Sequence, residues 1–113
     1  MITTFIGIVS RGEGRGSTLG FSTANIPLQN KNISGIYAGK VAWHDSEYRA
    51  ALFADPERGI LEAYLLDFNE ELYGEQVTMI LMKKIREKEA FKSDTALQEH
   101  IKKDVEDVRA FFA

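Results

Sequence analysis

The periodicity of apolar residues changes once along this chain, and that change constrains the fold more than any other feature. Between Thr3 and Arg86 the apolar residues form short runs, rich in β-branched side chains and separated by polar or Gly/Pro turns, which is typical of strands. After Ser93 the apolar residues recur at helical spacing instead, at Leu97, Ile101, Val105, Val108 and Phe112. The sequence therefore predicts several strands first and one helix last.

Six strands are predicted, and they suit a small closed sheet. The predicted strands are Thr3–Ser10, Ala24–Ile26, Ile36–Trp43, Glu47–Phe53, Ile60–Phe68 and Gln76–Arg86. We expect the third and fourth to form a hairpin, and either Ser93 or Thr95 (with Gln98 in a capping box) to cap the helix. A barrel would remove exposed sheet edges, although the pattern alone leaves a sandwich equally open.

Composition narrows the class of protein. A length of 113 residues predicts one domain, residues 1–113, and the 14 basic and 17 acidic groups give a net charge of -3, which argues against nucleic-acid binding. The chain has no cysteine, so disulfides are excluded and a reducing cytoplasm is favoured. We find no signal-peptide pattern and no apolar run near the ~20 residues of a membrane helix. We therefore expect a cytoplasmic domain that binds no membrane.

The stretch from Arg11 to Ile26 contains four glycines and two arginines. Glycine lets backbone N–H groups approach phosphate oxygens closely, and arginine matches phosphate geometry, although a mobile surface loop would have the same composition. Two common phosphate-binding motifs are excluded. Gly20 is not followed by the Lys-Ser/Thr of a Walker A loop, and the glycine spacing is G-x-G-x-G rather than G-x-G-x-x-G.

The same stretch resembles the signature of the riboflavin kinases, V-x-x-G-x-x-R-G-x-x-L-G-F-P-T-A-N-I. The chain reads VSRGEGRGSTLGFSTANI from Val9 to Ile26, with Ser22 in place of the proline. Further matches follow in order: Gly35-Ile36-Tyr37-Ala38, Leu61-Glu62, Leu66-Asp67-Phe68, Leu72-Tyr73-Gly74 and the tail from Ile85 to Asp104. The resemblance covers nearly the whole chain and includes the kinase module of bifunctional bacterial FAD synthetases.

The resemblance implies a mainly β fold, a six-stranded antiparallel Greek-key barrel with a C-terminal α-helix against it. It also implies an enzyme, an ATP:riboflavin 5′-phosphotransferase that uses Mg²⁺ and converts riboflavin and ATP to FMN and ADP. Because no adenylyltransferase domain accompanies the kinase in these residues, we do not expect FAD synthesis from this chain. The sequence pattern predicts no particular protein partner.

Residues in the glycine-rich stretch and just after it are expected to bind the nucleotide. The resemblance assigns the phosphates to Gly14, Arg15, Gly16 and Gly20 and to Thr23 and Asn25, and the metal to Thr23 and Asn25. Thr23 and Asn25 alternate along a strand and so share a face, and a hydroxyl and an amide oxygen are hard ligands of the kind that Mg²⁺ prefers. Ordinary turn-forming roles are the alternative for both.

Glu62 is the candidate catalytic residue. It lies inside an apolar strand, where a carboxylate must find a partner, shift its pKa or face a polar site. On pattern alone an outward-facing strand glutamate is favoured, whereas the resemblance assigns it the general base that accepts the proton of the riboflavin 5′-hydroxyl. Asp67 is an odd number of positions away, so we expect it on the other face as a turn-anchoring or surface carboxylate.

Two residues near the end of the last strand complete the expected site. The resemblance places Arg86 and Phe91 in the flavin pocket, although a structural ion pair is an equal alternative for Arg86. Ser22 and a connection around residues 51–59 that is shorter than the family's depart from the pattern. They motivate a second hypothesis, a non-catalytic flavin- or nucleotide-binding barrel derived from the kinase. A third hypothesis is a regulatory module that is fused or bound to a partner in the cell.

Overall fold

The computed structural model describes residues 2–10, 22–89 and 93–113. In chain order the elements are β1 (Thr3–Ile8), β2 (Ser22–Pro27), β3 (Gly35–Trp43), β4 (Ser46–Asp55), β5 (Ile60–Leu65), β6 (Gln76–Arg86) and α1 (Asp94–Phe112). The predicted order of strands followed by one helix is confirmed. Strand β2 extends beyond its predicted bounds at both ends, and β1 ends two residues earlier than predicted.

The strands form one antiparallel sheet in the order β1-β6-β3-β4-β5-β2. Strands β3, β4 and β5 follow one another, and β6 returns to pair with β3, which is the Greek-key arrangement. The sheet curls until its two edge strands meet. There the Ser10 N–H donates a 2.8 Å hydrogen bond to the Asn25 carbonyl, and a Cβ at Gly7 would lie 2.9 Å from the Ile26 Cβ. This curled sheet confirms the barrel and removes the sandwich.

The pairing of β3 with β6 depends on one glycine. The register shifts between Ala38 and Gly39, and a Cβ at Gly39 would overlap the carbonyl oxygen of Ile80. A residue without a side chain is therefore required where the two backbones approach most closely.

Two groups of apolar side chains stabilise the fold, one on each side of the sheet. The interior cluster fills the barrel; its members on β5 are Leu61, Ala63 and Leu65. The outer cluster lies between the sheet and α1; it includes Tyr64, which alternates with the interior residues of β5, and Leu66 just beyond the end of that strand. The predicted helical stripe is confirmed, because Ile101, Val105 and Val108 are buried in the outer cluster with Leu97 and Phe112 packed against it. Side-chain alternation along β5 therefore separates a barrel face from a helix face.

Side-chain hydrogen bonds form at both ends of helix α1. Ser93 is its N-cap, with an extended backbone and an Oγ that accepts a 3.1 Å hydrogen bond from the Ala96 N–H, so the alternative cap at Thr95 is not used. In its last turn Arg109 donates to both carboxylate oxygens of Asp67, at 3.1 Å each. Within the described ranges, no helix has the length and apolar content needed to cross a membrane.

Strand β5 ends at Leu65 rather than at Phe68, so the predicted boundary is wrong by three residues. The cause is Asp67, whose φ of 56° places it in the left-handed region and turns the chain. Its exposed carboxylate is held by Arg49, at 2.9 Å, as well as by Arg109. The predicted turn-anchoring role agrees with this geometry, but the predicted position on the face opposite to Glu62 does not, because Asp67 lies beyond the end of β5 and contacts Arg109 on the helix side of the sheet.

Candidate functional site

Pairing of β2 with β5 brings three of the expected site residues together. Asn25 lies directly opposite Glu62, and Thr23 lies directly opposite Tyr64. Ala24 and the other alternate residues of both strands belong to the interior cluster, so these four side chains point to the outer face of the barrel. Opposed residues on antiparallel strands have Cβ atoms roughly 4.5–5.5 Å apart. A carboxylate, a hydroxyl and an amide therefore converge on one patch.

The Glu62 carboxylate is buried, with only 8% of the residue exposed, and it is held by a neighbour on its own strand. The Tyr64 hydroxyl donates a 3.1 Å hydrogen bond to Glu62 Oε1. Burial, followed by the nearby negative charge of Glu62, raises the pKa of Tyr64 far above its ordinary value. The phenol consequently stays protonated and acts as a permanent donor that fixes the orientation of the carboxylate.

Asn25 on β2 is a buried polar residue, with 5% of its surface exposed. Its backbone carbonyl accepts hydrogen bonds from the N–H and, at 3.4 Å, the Oγ of Ser10, which fixes β2 against the end of β1. This closure holds the amide side chain on the outer face next to Glu62, while Thr23 lies partly buried two residues away. The position of Asn25 thus depends on barrel closure and on pairing with β5.

The donor set on this patch suits a hard divalent cation. Thr23 and Asn25 offer neutral oxygens and Glu62 a carboxylate, the kind of site in which Mg²⁺ keeps its waters and shares phosphate oxygens. Among the described residues, no three His, Cys, Asp or Glu side chains are grouped so that they could hold a metal by themselves. The oxygen donors fit Mg²⁺ bound together with a nucleotide better than a permanently bound metal.

Arg86 is part of a structural ion pair. Its Nε and one terminal nitrogen each donate a 2.9 Å hydrogen bond to a different carboxylate oxygen of Asp104 on α1. Asp104 is buried, with 3% exposed, and its hydrogen bonds raise the pKa of Arg86 further. This bidentate pair fastens the end of β6 to the helix. The ion-pair alternative for Arg86 is therefore realised, and a contact with flavin stays a prediction.

Asp55 is a buried carboxylate that the sequence analysis missed. Only 2% of it is exposed, and its oxygens accept hydrogen bonds from Arg58 Nε at 2.7 Å and Lys88 Nζ at 3.2 Å. Burial alone would raise the pKa of Asp55, but the hydrogen bonds from Arg58 and Lys88 outweigh burial and hold it below 3.8. The only sequence signal was a carboxylate that ends a strand immediately before Pro56.

The remaining expected site residues lie outside the described part of the chain. They are Gly14, Arg15, Gly16, Gly20 and Phe91. Their assignment to phosphate and flavin binding therefore stays a prediction. A separate surface cavity of about 380 Å³ is formed mainly by β6 and β3, with Tyr37, Leu81 and Lys84 among its lining residues. Of the expected site residues that the structure describes, none lines that cavity.

The family profile and the related proteins that match this chain indicate the same family. A family profile described as riboflavin kinase (flavokinase) matches residues 2–112. The bifunctional riboflavin kinase/FMN adenylyltransferase of Bacillus subtilis is 34% identical over 119 residues, which cover 95% of this chain and 38% of that protein. The protein of the same name from Haemophilus influenzae is 37% identical over 115 residues, which cover 94% of this chain and 37% of that protein. The chain thus spans well under half the length of these relatives.

Two solved structures share the fold. Riboflavin kinase from Trypanosoma brucei superposes with a TM-score of 0.67 at 28% identity, over 97% of this chain and 79% of that one. A Streptococcus pneumoniae structure titled macrolide-efflux protein superposes with a TM-score of 0.79 at 30% identity, over 94% of this chain and 38% of that one. The six-stranded barrel with its C-terminal helix is therefore a fold that known proteins share.

Proposed function

The chain belongs to the riboflavin kinase family, and on that premise we propose that it transfers the γ-phosphoryl group of ATP to the 5′-hydroxyl of riboflavin. The products are FMN and ADP. The observation that supports this most directly is the direct opposition of Asn25 and Glu62 on the outer face of β2 and β5. A hydroxyl that approaches Glu62 lies one strand away from the oxygen donors expected to hold the phosphates.

Glu62 is the general base in this proposal. The riboflavin hydroxyl oxygen forms a bond to the γ-phosphorus, the bond from that phosphorus to the β–γ bridging oxygen breaks, and ADP leaves. Glu62 takes the hydroxyl proton, which a buried carboxylate fixed by Tyr64 is placed to accept. Positioning of the nucleophile and stabilisation of charge account for most of the catalysis in reactions of this type.

Thr23 and Asn25 bind the metal and the phosphates in this proposal. Mg²⁺, when bound with ATP, supplies neutralisation of the charge on the transferred phosphoryl group. The Thr23 hydroxyl and the Asn25 amide oxygen lie on the same face of β2, so both can contact one ion or one phosphate. The glycine-rich segment and Arg15 are expected to add donors to the phosphates.

A second candidate function is a non-catalytic flavin- or nucleotide-binding barrel. The observation that favours it is the short connection between β4 and β5, which consists only of residues 56–59. The resembled pattern has a longer segment at this position. A barrel that retained the pocket but lost part of this connection could bind a flavin without phosphorylating it. The cytoplasmic location stays a prediction under either function.

One assay separates the two functions. Purified protein is incubated with riboflavin, ATP and Mg²⁺, and the FMN and ADP that form are quantified by chromatography. The control is the same reaction with EDTA-treated protein and no added Mg²⁺. The kinase proposal expects FMN and ADP in equal amounts, dependent on Mg²⁺. Binding of riboflavin without formation of FMN would reject the kinase and favour the non-catalytic barrel.

A further inference from the structure

The barrel closes at two residues that follow β1. One residue beyond the regular pairing of β1 with β6, the Val9 N–H donates a 2.9 Å hydrogen bond to the Glu75 carbonyl, and the Val9 carbonyl accepts one of 2.9 Å from the Gly74 N–H. Ser10 follows, and its N–H donates to the Asn25 carbonyl on β2 at 2.8 Å. We call residues 9 and 10 the seam. The seam joins the turn before β6 to the strand that carries the candidate metal-binding amide.

The turn at residues 72–75 fixes one side of the seam. The Glu75 N–H donates a 2.9 Å hydrogen bond to the Leu72 carbonyl, which closes the turn, and Gly74 supplies its left-handed backbone with a φ of 83°. Leu72 is 1% exposed and belongs to the interior cluster, as does Val9. The turn is therefore anchored in the barrel core at its first residue, while the carbonyl of its last residue binds the seam.

The side chain of Glu75 is held at the end of β3. Trp43 Nε1 donates a 2.9 Å hydrogen bond to Glu75 Oε1. The His44 ring stacks on the indole, with ring centroids 4.2 Å apart and planes inclined by 24°, and His44 Nε2 lies 3.7 Å from the same carboxylate oxygen. The Phe68 ring meets the indole nearly at right angles, with centroids 6.0 Å apart. These neighbours restrict the orientation of the indole, so its hydrogen bond connects the end of β3 to the turn at residues 72–75.

Packing alone does not account for a tryptophan at position 43. The Trp43 ring packs against the interior cluster, which a phenylalanine ring could also do. Only the indole adds an N–H that reaches Glu75, and both residues are partly buried. A hydrogen bond to a carboxylate is stronger than one between neutral groups. Loss of the indole N–H would consequently release the Glu75 side chain while leaving most of the packing in place.

We propose that Trp43 is a positioning residue of the nucleotide site, which acts through Glu75 and the seam on the placement of Asn25. This inference rests on the proposed function, which assigns Asn25 to the metal and the phosphates, and adds to it a residue on the distant strand β3. A misplacement of about 1 Å at a binding group is enough to matter. Glu62 is oriented separately, by Tyr64 and by pairing of β5 with β4, so we expect the effect on the nucleotide and not on the acceptor.

Binding of Mg·ADP tests the inference without requiring turnover. Calorimetry compares the wild-type protein with Trp43→Phe, which keeps a ring but lacks the N–H, and with Glu75→Ala, which removes the acceptor. We expect each to weaken Mg·ADP by about 3- to 10-fold, the factor that corresponds to one hydrogen bond of ordinary strength. Glu75→Gln keeps an oxygen acceptor for the indole and should bind Mg·ADP nearly as well as the wild type. Riboflavin affinity, from fluorescence titration, should be the same in all four proteins.

Amide hydrogen exchange separates positioning from a general loss of stability. The Ser10 N–H should exchange faster in Trp43→Phe and Glu75→Ala than in the wild type, because it bonds across the seam. The Leu66 N–H, which donates to the Arg49 carbonyl at 2.9 Å away from the seam, should exchange at an unchanged rate. Glu70→Ala removes an exposed carboxylate of the same β5–β6 connection and should alter neither exchange nor binding. In turnover, the KM for ATP should rise in Trp43→Phe while the KM for riboflavin stays unchanged.

The outcomes for the inference and for the kinase proposal are distinguishable. If the wild-type protein makes FMN but Trp43→Phe binds Mg·ADP as tightly as the wild type, the inference is overturned and the kinase stands. If no FMN forms but Trp43→Phe still weakens Mg·ADP selectively, the positioning role stands and the kinase does not. Faster exchange at Ser10 and Leu66 alike, with equal losses for both ligands, would mean that Trp43 is only structural and would overturn the inference. Failure of the wild-type protein to bind Mg·ADP would overturn it as well.

Discussion

Asn25 and Glu62 face each other across the pairing of β2 with β5, with 5% and 8% of their surfaces exposed. Each is an uncommon residue for such a buried position, since buried polar groups are costly unless they are hydrogen-bonded. Their opposition links the two halves of the proposed reaction, phosphate binding on one strand and proton transfer on the next.

Replacement of Asn25 by alanine should weaken binding of Mg·ADP much more than binding of ADP alone. The amide oxygen is expected to contact the metal, and only the metal complex loses that contact. Isothermal titration calorimetry in Mg²⁺ and in EDTA measures both affinities. Asn30→Ala, an exposed site in the β2–β3 connection, is the matched control. An equal loss with and without Mg²⁺ would show that Asn25 does not bind the metal.

Replacement of Tyr64 by phenylalanine should lower kcat by roughly 3- to 10-fold while leaving the KM for ATP unchanged. Tyr64 is a positioning residue, because its hydroxyl orients the Glu62 carboxylate through the 3.1 Å hydrogen bond and touches no reacting atom. Loss of a donor that favours the charged carboxylate should also shift the acidic limb of the kcat/KM profile to higher pH. Tyr48→Phe, whose ring packs on Phe68, is the control. An unshifted profile would contradict this role.

Replacement of Asp55 by asparagine should reduce stability at neutral pH but much less in acid. The pKa of Asp55 is depressed in the folded protein by Arg58 and Lys88. Its stabilising contribution is therefore fully present above the ordinary value of 3.8 and is lost as the pH falls through the lower folded-state value. We expect a loss of about 2 kcal/mol at pH 7.

Urea unfolding at pH 7 and at pH 3 measures this difference for the Asp55→Asn variant. Glu70→Gln, at an exposed position between β5 and β6, should have little effect at either pH. A loss of stability in Asp55→Asn that is as large at pH 3 as at pH 7 would mean that the ion cluster is not the cause.

Replacement of Asp104 by alanine should destabilise the fold by about 3 kcal/mol, because it leaves the partly buried Arg86 guanidinium without its bidentate partner. Asp107→Ala removes a partly exposed carboxylate that contacts Lys103 at 3.4 Å and should cost less than about 1 kcal/mol. Thermal and urea denaturation of both variants give the comparison. If both variants lost a similar free energy of unfolding, the Arg86–Asp104 pair would contribute no more to stability than an exposed ion pair.

Local patterns were enough to predict most of the secondary structure. The last strand, Gln76–Arg86, has the predicted bounds, because its β-branched and apolar run ends in charged residues on one side and a glycine-containing turn on the other. The helix and its cap at Ser93 were within the predicted alternatives for the same reason. The strand end at Leu65 was missed because a left-handed aspartate leaves no reliable mark in sequence.

Long-range relationships could not be predicted from the residues themselves. Thr23, Asn25 and Glu62 were assigned to the site by resemblance, but the register that places Asn25 opposite Glu62 joins residues 37 positions apart. The hydrogen bonds of Asp55 with Lys88 depend equally on tertiary folding.

The most direct test of the proposed catalysis is the rate of FMN formation by Glu62→Gln together with its affinity for Mg·ADP. Glutamine keeps the shape of the side chain but cannot accept the proton. We therefore predict that kcat falls by ~10²–10⁴-fold while Mg·ADP binding stays close to that of the wild type. Glu70→Gln should keep full activity. If Glu62→Gln phosphorylates riboflavin at the wild-type rate, Glu62 is not the base and the proposed mechanism is wrong.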